Sequence, residues 1–328
     1  MAKRKKRRPA ARPVITNTNP VRPGIVSPIR TVPAGIPRPE YALTGQPTTP
    51  PPPDLRKDDA TIERMRVAGK AARRVLRKVA SEIAPGVTTD QLDEVCHEAY
   101  IAEGGYPSTL NYHGYPKSIC TSINEVICHG IPDSRKLEDG DIVNCDVTIF
   151  LGGVHGDHSE NYLVGEVETE SRDLVRVTRE SLYRGIGAVR AGGQIRDIGM
   201  AIQEHAEGHG FGVVREFVGH GIGDIFHMPP NVPHYFDPRQ TFEIQAGMTF
   251  TIEPMITIGA WRQQGWDDGW TATTVDLSRT AQFEHTLLVH EDGVEILTLE
   301  AHEPQPFLAG RDRSVLPDIL PTAEGVAV

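Results

Sequence analysis

The chain has 328 residues, of which 38% are hydrophobic, 24% charged and 6% aromatic, the balance of a globular enzyme with one large core or two modest ones. No apolar run approaches the roughly 18 residues of a membrane helix, and the basic start MAKRKKRRPAARP leads into prolines rather than an apolar signal segment. Four cysteines, Cys96, Cys120, Cys128 and Cys145, are too few for a disulfide scaffold and lead to an expectation of reduced thiols in the cytoplasm.

The net charge of −10 hides an asymmetry. Residues 1–53 carry ten Lys or Arg against one Glu, and thirteen of the 26 prolines. A segment so poor in apolar side chains cannot offset its ordering entropy, so composition predicts a disordered or extended arm over 1–53. PxxP units stand at Pro20–Pro23 and Pro47–Pro50. The arm reads as a solvated linker or as a docking arm, in which six consecutive cations, Lys3 to Arg8, suit a polyanion such as RNA. A nuclear-localisation reading of Lys3–Arg8 has nothing to support it.

The folded part is expected from about Asp54. Ile62, Met65, Ala68, Ala72, Val75, Leu76, Val79 and Ile83 recur at spacings of three and four, which predicts a helix over 58–83. Pro85 and Gly86 stop it. Thr88 with Gln91 forms a capping box that opens a second helix, ending at Gly104–Gly105. Strands are expected at 118–124, 141–150 and 153–165, helices at 168–190 and 194–209, and further strands at 213–218, 248–258, 283–290 and 294–298. Ala84, Gly86 and Asp90 match Ala191, Gly193 and Asp197 at an offset of 107, and each match lies between two helices. The pattern suggests a duplicated unit with a cleft at its junction.

Five side chains stand out: Asp146, Asp157, His220, Glu253 and Glu284, the carboxylates embedded in apolar sequence. Buried acids are costly unless paired or bound to metal. Four that converge repel one another unless cations neutralise them, and two divalent ions match their charge. Oxygen-rich ligation with one imidazole suits Mn, Fe, Co or Zn.

The motifs SICTSINEVICHGIP, VNCDVT, HGD, GHGIGDIFHMPPNVPHY, GMTFTIEPM and AQFEHT together resemble the methionine aminopeptidases of the pita-bread metallopeptidase superfamily over about residues 58–298. The short interval from His220 to Glu253 resembles the type 1 enzymes. The resemblance implies an α+β pita-bread fold: two pseudo-two-fold helix/strand units around a curved antiparallel sheet flanked by helices. It also implies an arm at 1–53, a catalytic domain at 54–298 and a tail at 299–328. Two divalent ions are implied, with Asp146 chelating one, Asp157 and Glu284 bridging both, and His220 and Glu253 completing the second. A water shared by the metals is the implied nucleophile. Glu253 is the implied proton carrier, His227 the stabiliser of the oxyanion, and His129 a partner of the scissile amide. Tyr112, Tyr115, Cys120, Phe226 and Trp270 are implied around the methionine side chain, with Cys120 having no nucleophilic role. Thr109 stands where many relatives carry Cys, and His158, Glu160 and Asn161 depart from a Thr-containing pattern.

The resemblance implies removal of the initiator methionine from nascent chains with a small second residue, by a cytoplasmic monomer. The basic arm adds an expected electrostatic tether to the ribosome or its rRNA. DNA and membranes are not expected partners. The alternative enzyme is a proline-cleaving relative, aminopeptidase P or prolidase, against which NEVICHGIP and FHMPPNVPHY speak. A non-enzymatic binding module is the other class, opposed by the presence of all five ligands.

Overall fold

The computed structural model describes residues 19–308. In chain order the described elements are α1 (Asp59–Ala80), α2 (Thr89–Ala102), β1 (Tyr106–Pro107), β2 (Cys120–Ile123), β3 (Val126–Cys128), β4 (Ile142–Leu151), β5 (Val154–Leu163), α3 (Thr169–Ala188), α4 (Ile195–Gly208), β6 (Gly212–Val213), β7 (Gly219–Gly221), β8 (Met228–Val232), β9 (Thr249–Ile252), β10 (Met255–Thr257), β11 (Gln263–Gly265), β12 (Ala272–Thr274), β13 (Thr280–Gln282), β14 (Glu284–Val289) and β15 (Val294–Ile296). Every strand pairing among the described residues is antiparallel, and the main sheet runs β1-β4-β5-β14-β9-β7-β8, with β2 on β4 and β15 on β14.

The apolar stripe of α1 is buried at Met65, Ala68, Ala72, Val75, Leu76 and Val79, and Asp58 caps its start by accepting from the Thr61 N–H. The stripe lies on the sheet so closely that a side chain at Gly156 of β5 would strike the Ala68 backbone. Strand alternation then decides which side chains meet the helices. On β4, Cys145, Val147 and Ile149 join the core under α1 and α2, while Asp146 and Thr148 face the other way. A second core gathers α3 and α4 against Phe250, Ile252 and Leu287.

The duplication is visible in hydrogen bonds. Gly86 N–H donates to Leu137 O, and Gly192 N–H donates to Ile244 O; both glycines have positive φ. Thr88 and Gln194 are the N-caps that follow, closed by capping boxes with Gln91 and Asp197. The turn glycines and the N-caps lie 106 residues apart and the acceptors Leu137 and Ile244 lie 107 apart, so the offset of 107 read from the sequence is one residue out of register at the turn itself.

The folded part begins well before Asp54. Residues 19–53 form a largely extended strap, with one 3-10 turn at Glu40–Ala42, laid on the first half; of the two states expected for the arm, disordered or extended, this stretch takes the extended one and packs. Arg30 reaches Asp93 at 2.8 Å, the Tyr41 hydroxyl donates to Ser108 O at 2.7 Å, and His97 meets Thr31 O at 3.0 Å. The body supplies the buried partners that the strap's own composition lacks. Lys3–Arg8 lie outside the described residues. At the other end, residues 299–308 pack as well, with Leu299 and Phe307 buried, so the body extends past 298. The strand expected over 213–218 shrinks to β6, because Arg215 to Val218 turn away as a loop; the hairpin β11–β12 and the short strands β1, β3, β7 and β8 were not foreseen.

Candidate metal centre

Five neighbouring strands each bring one of the five side chains to a common cleft. In sheet order these are Asp146 on β4, Asp157 on β5, Glu284 on β14, Glu253 just past β9 and His220 on β7. Pairing fixes their heights: Thr148 stands opposite Asp157, and Glu284 and Asp146 both stand opposite Ser159. Ligand atoms of Asp157, His220 and Glu284 lie within 4.8 Å of one another. His220 Nε2 is 3.6 Å from Asp157 Oδ2 and 3.6 Å from Glu253 Oε1.

His220 Nδ1–H donates to Gly221 O, which leaves the Nε2 lone pair facing the carboxylates. The glycines beside it serve strand contact: a Cβ at Gly219 would lie 2.5 Å from Thr251 O, and one at Gly221 2.0 Å from Pro229 O. Glu253 is held at both oxygens, by the Thr251 hydroxyl at 2.8 Å and by Gln282 Nε2 at 3.2 Å, and its N–H donates to His234 Nε2. The Thr148 hydroxyl donates to Asp157 Oδ1 at 2.7 Å.

All twelve side chains singled out in the sequence line one cavity of about 330 Å³. Tyr112 stands 4.9 Å from Phe226 and 5.0 Å from His227, ring centre to ring centre; Tyr115 is 5.1 Å from Trp270. His129 faces Trp270 across 5.9 Å and holds a left-handed backbone, φ 58°, beside Gly130, where a Cβ would sit 2.1 Å from Thr121 O. Burial pushes the His129 and His220 imidazoles down to about 4, and His227 falls as well, for the same reason first and neighbouring imidazoles second. His158 lies on the opposite face of β5, against Arg73, as alternation requires.

Glu216, Phe217, Val218, Met255, Thr148 and Gln282 also line the cavity, beyond the residues that the sequence marks. Gln282 is the second residue of the AQFEHT motif, directly after Ala281, and is legible there. Glu216–Val218 were read as strand, and no periodic signal marks them as cleft.

Residues 63–291 match the family model described as metallopeptidase family M24. The chain is 54% identical over 286 residues to methionine aminopeptidase 1A of Arabidopsis thaliana, covering 86% of this chain and 72% of that one. It is 52% identical over 276 residues to methionine aminopeptidase 2 of Mycobacterium tuberculosis, covering 84% and 96%. The chain belongs to the type 1 methionine aminopeptidases of family M24. The solved methionine aminopeptidase of Rickettsia prowazekii superposes with a TM-score of 0.73 at 45% identity, over 74% of this chain and 99% of that one. A prolidase from Pyrococcus furiosus, at 19% identity and a TM-score of 0.61, shares the fold alone.

This methionine aminopeptidase carries a donor set that fits divalent cations. Burial raises the carboxyls of Asp146, Asp157, Glu253 and Glu284; for Asp157 and Glu284, the neighbouring acids raise them further. Asp146 Oδ1 is buried with no hydrogen-bond partner among the described residues, an arrangement that a bound cation satisfies. One imidazole among four carboxylates favours Mn, Fe, Co or Zn over a thiolate-preferring ion.

Proposed function

We propose that this methionine aminopeptidase removes the initiator methionine from nascent chains whose second residue is small, using the residues that meet in the cleft. The observation that carries the reading is the convergence of one ligand from each of five neighbouring strands beneath an aromatic pocket. Asp146, Asp157, His220, Glu253 and Glu284 would hold two divalent cations. When bound, the cations acidify the attacking water and polarise the scissile carbonyl.

The chain's own groups do the rest. Glu253, fixed by Thr251 and Gln282, carries a proton from the attacking water to the leaving amine. His227, placed 4.1 Å from His220 between ring centres, donates to the developing oxyanion, and His129 holds the scissile amide. Tyr112, Tyr115, Cys120, Phe226 and Trp270 enclose a flexible thioether. The Cys120 thiol is pushed up by burial, then by Asp146, so it stays protonated and packs. All four cysteines are unpaired, which suits a reducing cytoplasm.

The first 18 residues hold seven Lys or Arg and no acid, and we assign them the electrostatic tether to ribosomal RNA. Because residues 19–53 pack on the body, the informative deletion is 1–18. It should abolish salt-sensitive co-sedimentation with ribosomes and leave peptide hydrolysis intact; equal co-sedimentation would remove the tether.

The reading is tested by offering Met-Ala-Ser and an Ala-Pro peptide to metal-stripped enzyme, then restoring Mn, Co, Fe or Zn. Metal-dependent release of Met with the proline peptide intact is expected. Cleavage of the proline peptide alone would overturn it.

A further inference from the structure

A second cluster of metal-type donors sits on the helical side of the molecule, on residues that do not line the cleft. Glu180 projects from α3, His205 from the last turn of α4, and His209 caps that helix. His205 and His209 are four residues apart, so they share a face, and their ring centres are 4.5 Å apart. One donor atom from each of the three residues falls within 4.8 Å of the others.

We propose that Glu180, His205 and His209 form a surface site for a borderline divalent cation of the Zn²⁺ or Ni²⁺ type. The donor chemistry sets the class: two imidazoles and one carboxylate match three-ligand zinc sites with a water in the fourth position, and disfavour Ca²⁺ or Mg²⁺.

The surroundings match the way such ligands are normally braced. His209 Nδ1–H donates to His205 O at 2.9 Å, which fixes the tautomer with the Nε2 lone pair free. Glu180 accepts from Arg176 at Oε1, 2.8 Å away, and this turns Oε2 toward His205 Nε2, also at 2.8 Å. A cation bridging Oε2 and Nε2 replaces the proton they now share. Glu180 and His205 are 17% and 12% exposed, so two donors are positioned by packing, while His209, exposed at the end of α4, completes the set from the solvent side. The cation would tie α3 to α4, the helix pair of the second half.

The site is read with Zn²⁺ alone as probe, on enzyme whose cleft is already loaded with Mn²⁺ or Co²⁺. Wild-type protein is compared with His209→Ala and His209→Gln, the second of which keeps a donor for the His205 carbonyl. Bound metal is counted after dialysis, retention on an untagged Ni²⁺-chelate column is scored, and melting is followed with and without Zn²⁺. About one extra equivalent of Zn²⁺ is expected in the wild type and lost in both variants, together with column retention and the Zn²⁺-induced rise in melting temperature. Met-Ala-Ser hydrolysis should not change. Equal metal counts and equal retention for wild type and both variants would overturn the site.

Discussion

His158 donates its Nδ1–H to the backbone carbonyl of Glu284 across 2.6 Å, linking the helix side of the sheet to a carboxylate of the cleft. Its other nitrogen therefore accepts from Arg73 Nη1 at 3.1 Å. Arg73 is in turn held by Glu160 at 2.7 Å and by Glu303 at 2.9 Å, so the segment after β15 is connected to the Glu284 backbone. Replacing His158 by Ala leaves a buried carbonyl and a guanidinium N–H without their partner. The expected cost is about 1–3 kcal/mol, read as a lower urea midpoint of metal-loaded enzyme. An unchanged midpoint would show that water replaces the imidazole.

The same network predicts an acid limb to stability. Burial alone would raise the Glu160 carboxyl, but the Arg73 guanidinium, with Arg179 behind it, outweighs it and holds it at about 2, below its ordinary 4.5. A depressed carboxyl stabilises the fold above the unfolded value, and that contribution fades as pH falls from 4.5 toward 2. The urea-midpoint difference between wild type and Glu160→Gln should be largest near neutrality and shrink between pH 5 and pH 3. A constant difference would rule out the carboxylate as its source.

The strap makes a prediction about the pocket. Tyr41 stands 4.9 Å from Tyr112 edge-to-face and donates to Ser108 O, while the Ser108 hydroxyl meets His155, which stacks at 5.1 Å on Phe226. Two walls of the cavity are thus braced from residue 41. Tyr41→Phe should cost about 1 kcal/mol of stability. Tyr41→Ala should cost about 3 kcal/mol and raise KM for methionyl peptides more than it lowers kcat. Equal effects on KM and kcat would argue against a bracing role.

At the cleft itself, Asp157→Ala should abolish both metal uptake and turnover, measured by elemental analysis and peptide hydrolysis. Gln282→Ala is expected to retain the metals but lose roughly tenfold in kcat, because one Glu253 oxygen is released. Full turnover in Asp157→Ala would remove the metal assignment.

Gly130→Ala tests the backbone beneath His129. The new methyl would meet the Thr121 carbonyl, which belongs to β2 and cannot give way cheaply. The variant should be destabilised by more than about 2 kcal/mol, and the His129 loop should become protease-sensitive. A stable, resistant variant would mean that this loop moves freely.

Much of the fold was legible because its carriers are local. The α1 stripe, the Thr88 box and the alternation that sets Asp157 opposite in facing to His158 follow from short-range periods. The strap escaped because its partners are non-local: Arg30 is ordered by Asp93, and Tyr41 by Ser108, and neither dependence leaves a mark in residues 19–53. Glu216–Val218 escaped for a related reason, since a β-branched and aromatic segment such as VVREFV reads as strand until its neighbours are known. The offset of the two halves slipped by one because the matched residues, Gly86 with Gly193, are chemically alike, whereas the paired turn uses Gly192.

One ligand per strand has a consequence for biosynthesis. A strand that slips by one residue turns its side chains to the opposite face, so each of the five ligands tests the pairing of its own strand. If the five side chains hold cations as proposed, a chain with one misregistered strand would offer only four of the five donors. Cation uptake by freshly made protein would then work as a checksum on the completed sheet, and the fraction of molecules that retain metal after dialysis would count those whose strands have all found their places.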